Sequence, residues 1–276
     1  MTIISAKVIE HSMSTSTGIP LTTMQLTYPR FIHAEFMTHR VFSRNASSSR
    51  AIPVAKMIEQ VRTEPAMPIH WGKNQPGMQA NAELEGSTLR RAKEVWLEAA
   101  KAASVFAETM NELGLHKQVA NRILEPFQYM HTIVTATEWD NFFALRAHPD
   151  AQPEIHALAL VMKHAMQEST PRWIDPDEWH LPYVTYDERL NHPTDLLLKL
   201  SAARCARVSY LTHDGQKPEI EKDLALYDRL VGGVPLHASP IEHQATPMAT
   251  GDLWSGNFKG WLQHRQVVES SFNPAL

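Results

Sequence analysis

The sequence predicts an α+β fold, an antiparallel sheet with a helical bundle, from three observations. Residues 3–28 alternate apolar and polar side chains at the period of two that marks strands. Residues 87–169 repeat apolar side chains at helical spacing, between breakers such as Gly114 and Pro126. No repeat of fixed short period runs along the chain, which argues against solenoids and propellers.

Taken in order, ISAKVIEHS and PLTTMQLTYP read as two strands joined by a Ser/Thr-rich loop holding Gly18. After Pro29, the pattern of Phe31, Ile32, Ala34, Phe36 and Met37 predicts a short helix that delivers Thr38, His39 and Arg40 at its end. Residues 63–82 are rich in Pro and Gly, show no period and predict a long loop. Ser87 is placed to cap a helix running to Gly114, with Val95, Ala99, Ala102, Ala103 and Phe106 as its core face. Further helices are predicted from Leu115 to Pro126, over ATEWDNFFALR, and over PEIHALALVMKHAMQES up to Pro171. Residues 172–196 read as a connector, followed by helices over PTDLLLKLSAARCARVSY and EIEKDLALYDRLV. The divisions are a sheet and basic-turn region at 1–62, a loop at 63–86, a helical region at 87–171 and a C-terminal α+β region at 172–276, expected to form one compact domain.

Composition bounds the function. The 276 residues are 43% hydrophobic and hold seven tryptophans, enough for a sizeable core. Lys and Arg number 26 against 30 Asp and Glu, so no general field draws the chain to nucleic acid or to a membrane, and any anion site is local. The single Cys205 rules out an internal disulfide and a CxxC metal site. No apolar run reaches the roughly 18 residues of a span, and the start lacks a signal-peptide pattern, so a cytoplasmic protein is expected.

The segment THRVFSRNASSSR carries Arg40, Arg44, Arg50, His39, Asn45 and five hydroxyl side chains. Small polar residues let backbone approach a ligand closely, and arginines clamp phosphate oxygens bidentately. Composition alone leaves a solvated Ser/Arg loop equally open. Arg146 follows the apolar Phe142, Phe143 and Leu145, so its stem packs and its head group needs an anion: Glu138, Asp140, Glu154 or a ligand. Arg122 has Glu125 and Asp140 as competing partners. Among fifteen histidines, none has HExxH spacing, and no metal site is expected. Residues 71–78 lie in the proline-rich loop and read as surface chain or as a lid. Cys205, flanked by Arg204 and Arg207, reads as a buried helical thiol.

His39-Arg40, seven residues, then Ser48 and Arg50 resemble the RHR(x7)S signature of flavin-dependent thymidylate synthases, which make dTMP from dUMP. A second similarity covers Asn141, Leu145, Arg146, Ala151, Gln152, Glu154 and Ile155. A third, ARCARVSY and HASPIEH at 203–210 and 237–243, resembles elements that the family carries upstream of the signature; here they lie downstream. GWLQHRQ, with His264 and Arg265, resembles a second partial signature, so the arrangement is permuted or partly duplicated.

The resemblance implies a methyltransferase acting on a pyrimidine nucleotide at C5, with FAD, methylenetetrahydrofolate and NADPH, in a homotetramer whose sites lie where subunits meet. It implies flavin contacts at Thr38, His39, Arg40, Thr135, Thr137, Asn141, Ser209 and His243. Ser48, Arg50 and Arg122 fall at nucleotide-binding positions. Arg146 matches the arginine that favours ionisation of the pyrimidine N3, and so serves catalysis as well as substrate binding. Four positions depart from the pattern: Glu35 stands for a glutamine, Thr38 for the first signature arginine, Ala46 for a glutamate and Ala51 for a tyrosine. Glu35 lies on the substrate side, where a carboxylate accepts hydrogen bonds from an amino group, so methylation or hydroxymethylation of UMP or dCMP is an alternative. A non-catalytic nucleotide-binding paralogue is another. His264 and Arg265 are candidates to compensate for Thr38.

Overall fold

The computed structural model describes residues 2–210 and 219–272. Strands β1 (Ser5–Ser14) and β2 (Pro20–Pro29) form the antiparallel pair predicted for the opening segment, turning at Gly18, whose φ is 65°. A 3-10 turn (Arg30–Ile32) leads into α1 (His33–Phe36), the short helix predicted there. Strand β3 (Ser43–Ala46) and helix α2 (Val54–Thr63) follow, neither anticipated. The long helix α3 (Gly86–Glu112) has Glu85, not Ser87, at its N-cap.

Where one helix was expected from Leu115 to Pro126, the chain makes a single turn, α4 (Lys117–Ala120), and then a 3-10 segment (Asn121–Phe127). Pro126 lacks the N–H that a continuing α-helix needs. Strand β4 (Tyr129–Ala136) was missed because it is buried almost throughout, so its run YMHTIVTA does not alternate. Helices α5 (Asp140–Arg146) and α6 (Pro153–Gln167) follow; Gln152 caps α6, its side chain accepting from the backbone N–H of Glu154 and Ile155. The expected connector contains β5 (Arg172–Ile174) and α7 (Tyr186–Asn191), which begins with a Thr185/Glu188 capping box. The C-terminal region has α8 (Thr194–Tyr210), α9 (Ile220–Leu230), a 3-10 turn (Ser239–Glu242), short strands β6 (Ala245–Pro247), β7 (Trp254–Ser255), β8 (Phe258–Lys259) and β9 (Trp261–Gln263), and α10 (His264–Phe272).

The central sheet has the order β3-β4-β2-β1-β5, antiparallel except for the β1–β5 pair. Its two faces are separated by the strand period. Met24, Leu26 and Tyr28 of β2, with Met130 and Val134 of β4, meet Phe36, Phe42, Phe142, Ile155, Leu158 and Met162 on one side. On the other side Ile133 packs on Cys205 and Val208 of α8, and Gln25 accepts a 2.7 Å hydrogen bond from the Tyr183 hydroxyl. The C-terminal region therefore covers the second face of the sheet.

Helix α3 corrects the predicted core face. It buries Ala100, Ala103, Ser104 and Ala107 against α2 and the 121–127 segment, while Val95 and Phe106 remain 47% and 57% exposed. The helix is apolar on two sides, and α2 packs on the side whose small residues allow close approach.

Candidate active site

The basic turn is built by local hydrogen bonds. Thr38 N–H and its hydroxyl both donate to the Glu35 carbonyl, at 3.1 and 2.7 Å, and His39 N–H donates to the Phe36 carbonyl. Arg44 locks the same turn by donating to the Met37 and His39 carbonyls, at 2.9 and 3.0 Å. This structural use of Arg44 was not anticipated from the sequence. His39 is buried, stacked on Phe42 and edge-on to Phe142, with ring centroids 5.9 and 4.9 Å apart.

Arg146, at the end of α5, donates to the His39 Nε2 at 3.0 Å, the Glu35 carboxylate at 3.3 Å and the Thr38 hydroxyl at 3.4 Å. Its anion is thus Glu35, not Glu138, Asp140 or Glu154. Because His39 Nε2 accepts, the imidazole is neutral, with its proton on Nδ1. Burial first, then the Arg146 and Arg44 charges, lower its pKa from 6.5 to about 4. Glu35 and Arg146 line a cavity of about 1140 Å³, with Phe31, Trp96, Gln152, His156 and the loop around His70 and Ala80. Two of the residues 71–78, Gly72 and Met78, lie in this lining.

Ser48 and Arg50 line a different cavity, of about 430 Å³, together with Asn45, His116, Gln118, His237 and Ser239. The serine run alternates inward and outward. Ser47 and Ser49 are buried; Ser47 Oγ accepts from the His131 N–H, and Ser49 donates to Glu125 at 3.1 Å. Ser48 and Arg50 face the cavity, and the Arg50 guanidinium has no partner among the described residues. His237 and Ser239 come from HASPIEH, where only His243 had been singled out. An unpaired guanidinium, two imidazoles and hydroxyl groups, with no carboxylate in the described lining, suit an anionic group such as a phosphate.

Arg122 donates to Glu125 at 2.8 Å, the structural pairing weighed from the sequence, and Glu125 also receives Arg30 at 2.8 Å. The flavin positions differ in burial and in partners. Thr135 and His243 are both buried and hydrogen-bonded to each other at 2.8 Å, within a chain of buried groups that continues from Thr135 through Thr23 and His180 to Ser12. Thr137 is buried and accepts from the Lys259 N–H at 3.1 Å. Arg40 and Asn141 are exposed, Arg40 without a partner among the described residues. The Ser209 side chain lies outside the described residues. His243 Nε2 is a buried atom with no hydrogen-bond partner, but no described cavity reaches it. Within a single chain, none of the seven described positions lines one of the described cavities.

Arg265 is not free to replace the missing signature arginine, since it is tied to Glu242 and to Glu269. His264 is buried, edge-on to Trp179. Cys205 is buried, and desolvation raises its thiol pKa, so it is no ready nucleophile. Among the described residues, no helix is long and apolar enough to cross a membrane.

The family model described as thymidylate synthase complementing protein matches residues 4–172, so the C-terminal region lies outside that match. Two solved structures of a UMP/dUMP methylase, PolB from Streptomyces cacaoi, share the fold. The structure bound with 5-Br dUMP gives a TM-score of 0.52 at 16% identity, covering 61% of this chain and 91% of that one. The structure bound with 5-Br UMP gives 0.50 at 18%, covering 61% and 90%. No curated protein sequence matches. With the signature turn, Arg146 and the antiparallel sheet all inside the matched span, the chain belongs to the thymidylate synthase complementing protein family and is a methyltransferase-type enzyme.

Proposed function

We propose that this enzyme methylates C5 of a pyrimidine nucleotide. The observation that carries the reading is the meeting of Arg146 with Glu35, Thr38 and His39 at a cavity of about 1140 Å³. A guanidinium stays charged at any working pH and stabilises electron density pushed into the ring, which makes C5 more nucleophilic. Neutral His39 holds the guanidinium from behind without competing for its charge.

Ser48 and Arg50, with His116 and His237, suit the nucleotide phosphate. They line another cavity than Arg146; in the homotetramer that the resemblance implies, a second copy would bring the two kinds of residue to one nucleotide. The acceptor implied by the resemblance is dUMP, giving dTMP; the bound ligands of the two methylase structures are consistent with a uridine nucleotide. Methylenetetrahydrofolate, FAD and NADPH are the implied sources of the carbon and the electrons.

The test is an incubation of the full chain with these co-substrates and dUMP, UMP or dCMP in turn, followed by mass spectrometry of the nucleotide. A methylated or hydroxymethylated pyrimidine is expected. A chain that modifies none of them, and takes up no flavin absorbance when FAD is added, is a binding protein and the proposal fails.

A further inference from the structure

Arg146 is not a lone cation: it meets the cavity as one half of an ion pair. A guanidinium has five N–H groups. Three are used inside the protein, by His39, Glu35 and Thr38, which leaves two on the terminal nitrogens. Beside them stands the Glu35 carboxylate, 40% exposed, with one oxygen on Arg146 and the other without a partner among the described residues. Both side chains line the cavity.

We infer that the Glu35–Arg146 pair selects a cytosine nucleotide over a uracil nucleotide as the acceptor, so that Glu35 is the specificity-determining residue of this site. The inference rests on the pyrimidine-nucleotide reading above. Two donors beside an acceptor are what the pairing edge of guanine offers, and they complement the O2, N3 and N4 of cytosine in that order. The guanidinium donates to the two ring acceptors, and the carboxylate accepts from the exocyclic amino group, as acidic side chains do from cytosine N4 in nucleic acids. Uracil carries N3–H where cytosine has a lone pair, and O4 where cytosine has the amino group. Against the same pair, N3–H opposes a guanidinium N–H and O4 opposes the carboxylate. Removing the N3 proton, which the guanidinium favours, would cure the first conflict, but O4 would still oppose the Glu35 carboxylate, now with added negative charge on the ring. A glutamine, whose amide offers both a donor and an acceptor, imposes no such choice.

The test is calorimetric titration of the full chain, with FAD added, using dCMP and dUMP. The wild-type chain is expected to bind dCMP at least about tenfold more tightly, the scale of one well-placed polar pair. Glu35→Gln is expected to bring the ratio to about one or below and to tighten dUMP binding; Glu35→Ala is expected to abolish the preference without that gain. Circular dichroism confirms that each variant is folded. Equal or tighter wild-type binding of dUMP, or a dCMP preference that survives in both variants, overturns the inference while leaving pyrimidine methylation standing. Failure of the wild-type chain to bind either nucleotide overturns both.

Discussion

At the scale of single residues, Arg146 and His39 set each other's state. Arg146 makes three side-chain bonds that no neighbour in sequence supplies, and it is largely covered, its side chain 22% exposed. Arg146→Ala is expected to lower the rate of nucleotide modification about 10- to 100-fold, the range of one or two charge-assisted hydrogen bonds. Its melting temperature is expected to fall by only a few degrees, because the bonds lost are those of a polar cluster that opens on the cavity; parallel activity and melting measurements check both. His39 adds a pH signature. Its folded pKa of about 4 lies below the ordinary 6.5, so between those values the unfolded chain binds more protons. The stability it contributes is complete above pH about 6.5 and is lost as pH falls toward 4. His33 and His264, also lowered to about 4 by burial, and His243, lowered to about 3, add in the same direction. Urea midpoints measured across this window should be flat above and fall below, and His39→Gln should make the fall shallower.

At the scale of elements, buried ion pairs join α7, α8 and α9. Asp223 is fully buried and accepts from Arg204 at 2.9 Å and from Arg207 at 2.6 Å, while Arg204 also holds Glu188 at 2.6 Å. Asp223→Ala leaves two guanidinium groups short of a counter-charge and is expected to cost about 3–5 kcal/mol, read from urea unfolding. The Arg204 hydrogen bond, the largest influence on Glu188, holds its carboxyl down to about 2, so this pairing persists through mildly acidic solution. Helix α3 provides a contrast between its two apolar sides. Ala107→Leu forces volume into the packed α2 side and is expected to cost about 1–3 kcal/mol. Phe106→Ser on the open side is expected to stay within about 0.5 kcal/mol for a single folded chain. Residues 87–114 announced the helix but not which of these sides is buried, since that depends on α2, whose residues carry no link in sequence to α3.

At the scale of the whole molecule, the question is how two cavities serve one nucleotide. Arg50 lines one and Arg146 the other, and they lie on opposite sides of 95 intervening residues of chain. If a second copy completes each site, mixing Arg50→Ala with Arg146→Ala chains and allowing exchange should restore a measurable fraction of activity that neither has alone, since some mixed sites carry both arginines. Sedimentation should then give a mass at a multiple of 31.2 kDa. A mixture as inactive as its components would mean that one chain builds the site by itself. The C-terminal region takes part in either case, because it brings His237 and Ser239 to the Arg50 cavity and seals the sheet with α8.

Local pattern determined the opening strand pair, the short helix before Thr38, α6 and the nature of the basic turn, because each depends on residues close together in the chain. The order of His39, Arg40, Ser48 and Arg50, with Arg146 following, carried the resemblance to the family that the match over residues 4–172 shows. Tertiary structure alone decided the pairing of Glu35 with Arg146 across 111 positions, the separation of Arg50 from it, and the burial of Thr135 and His243 in one hydrogen-bonded chain. Those outcomes depend on which distant surfaces exclude water from one another. A charge or a hydroxyl takes its partner from what is left nearby once that packing is complete.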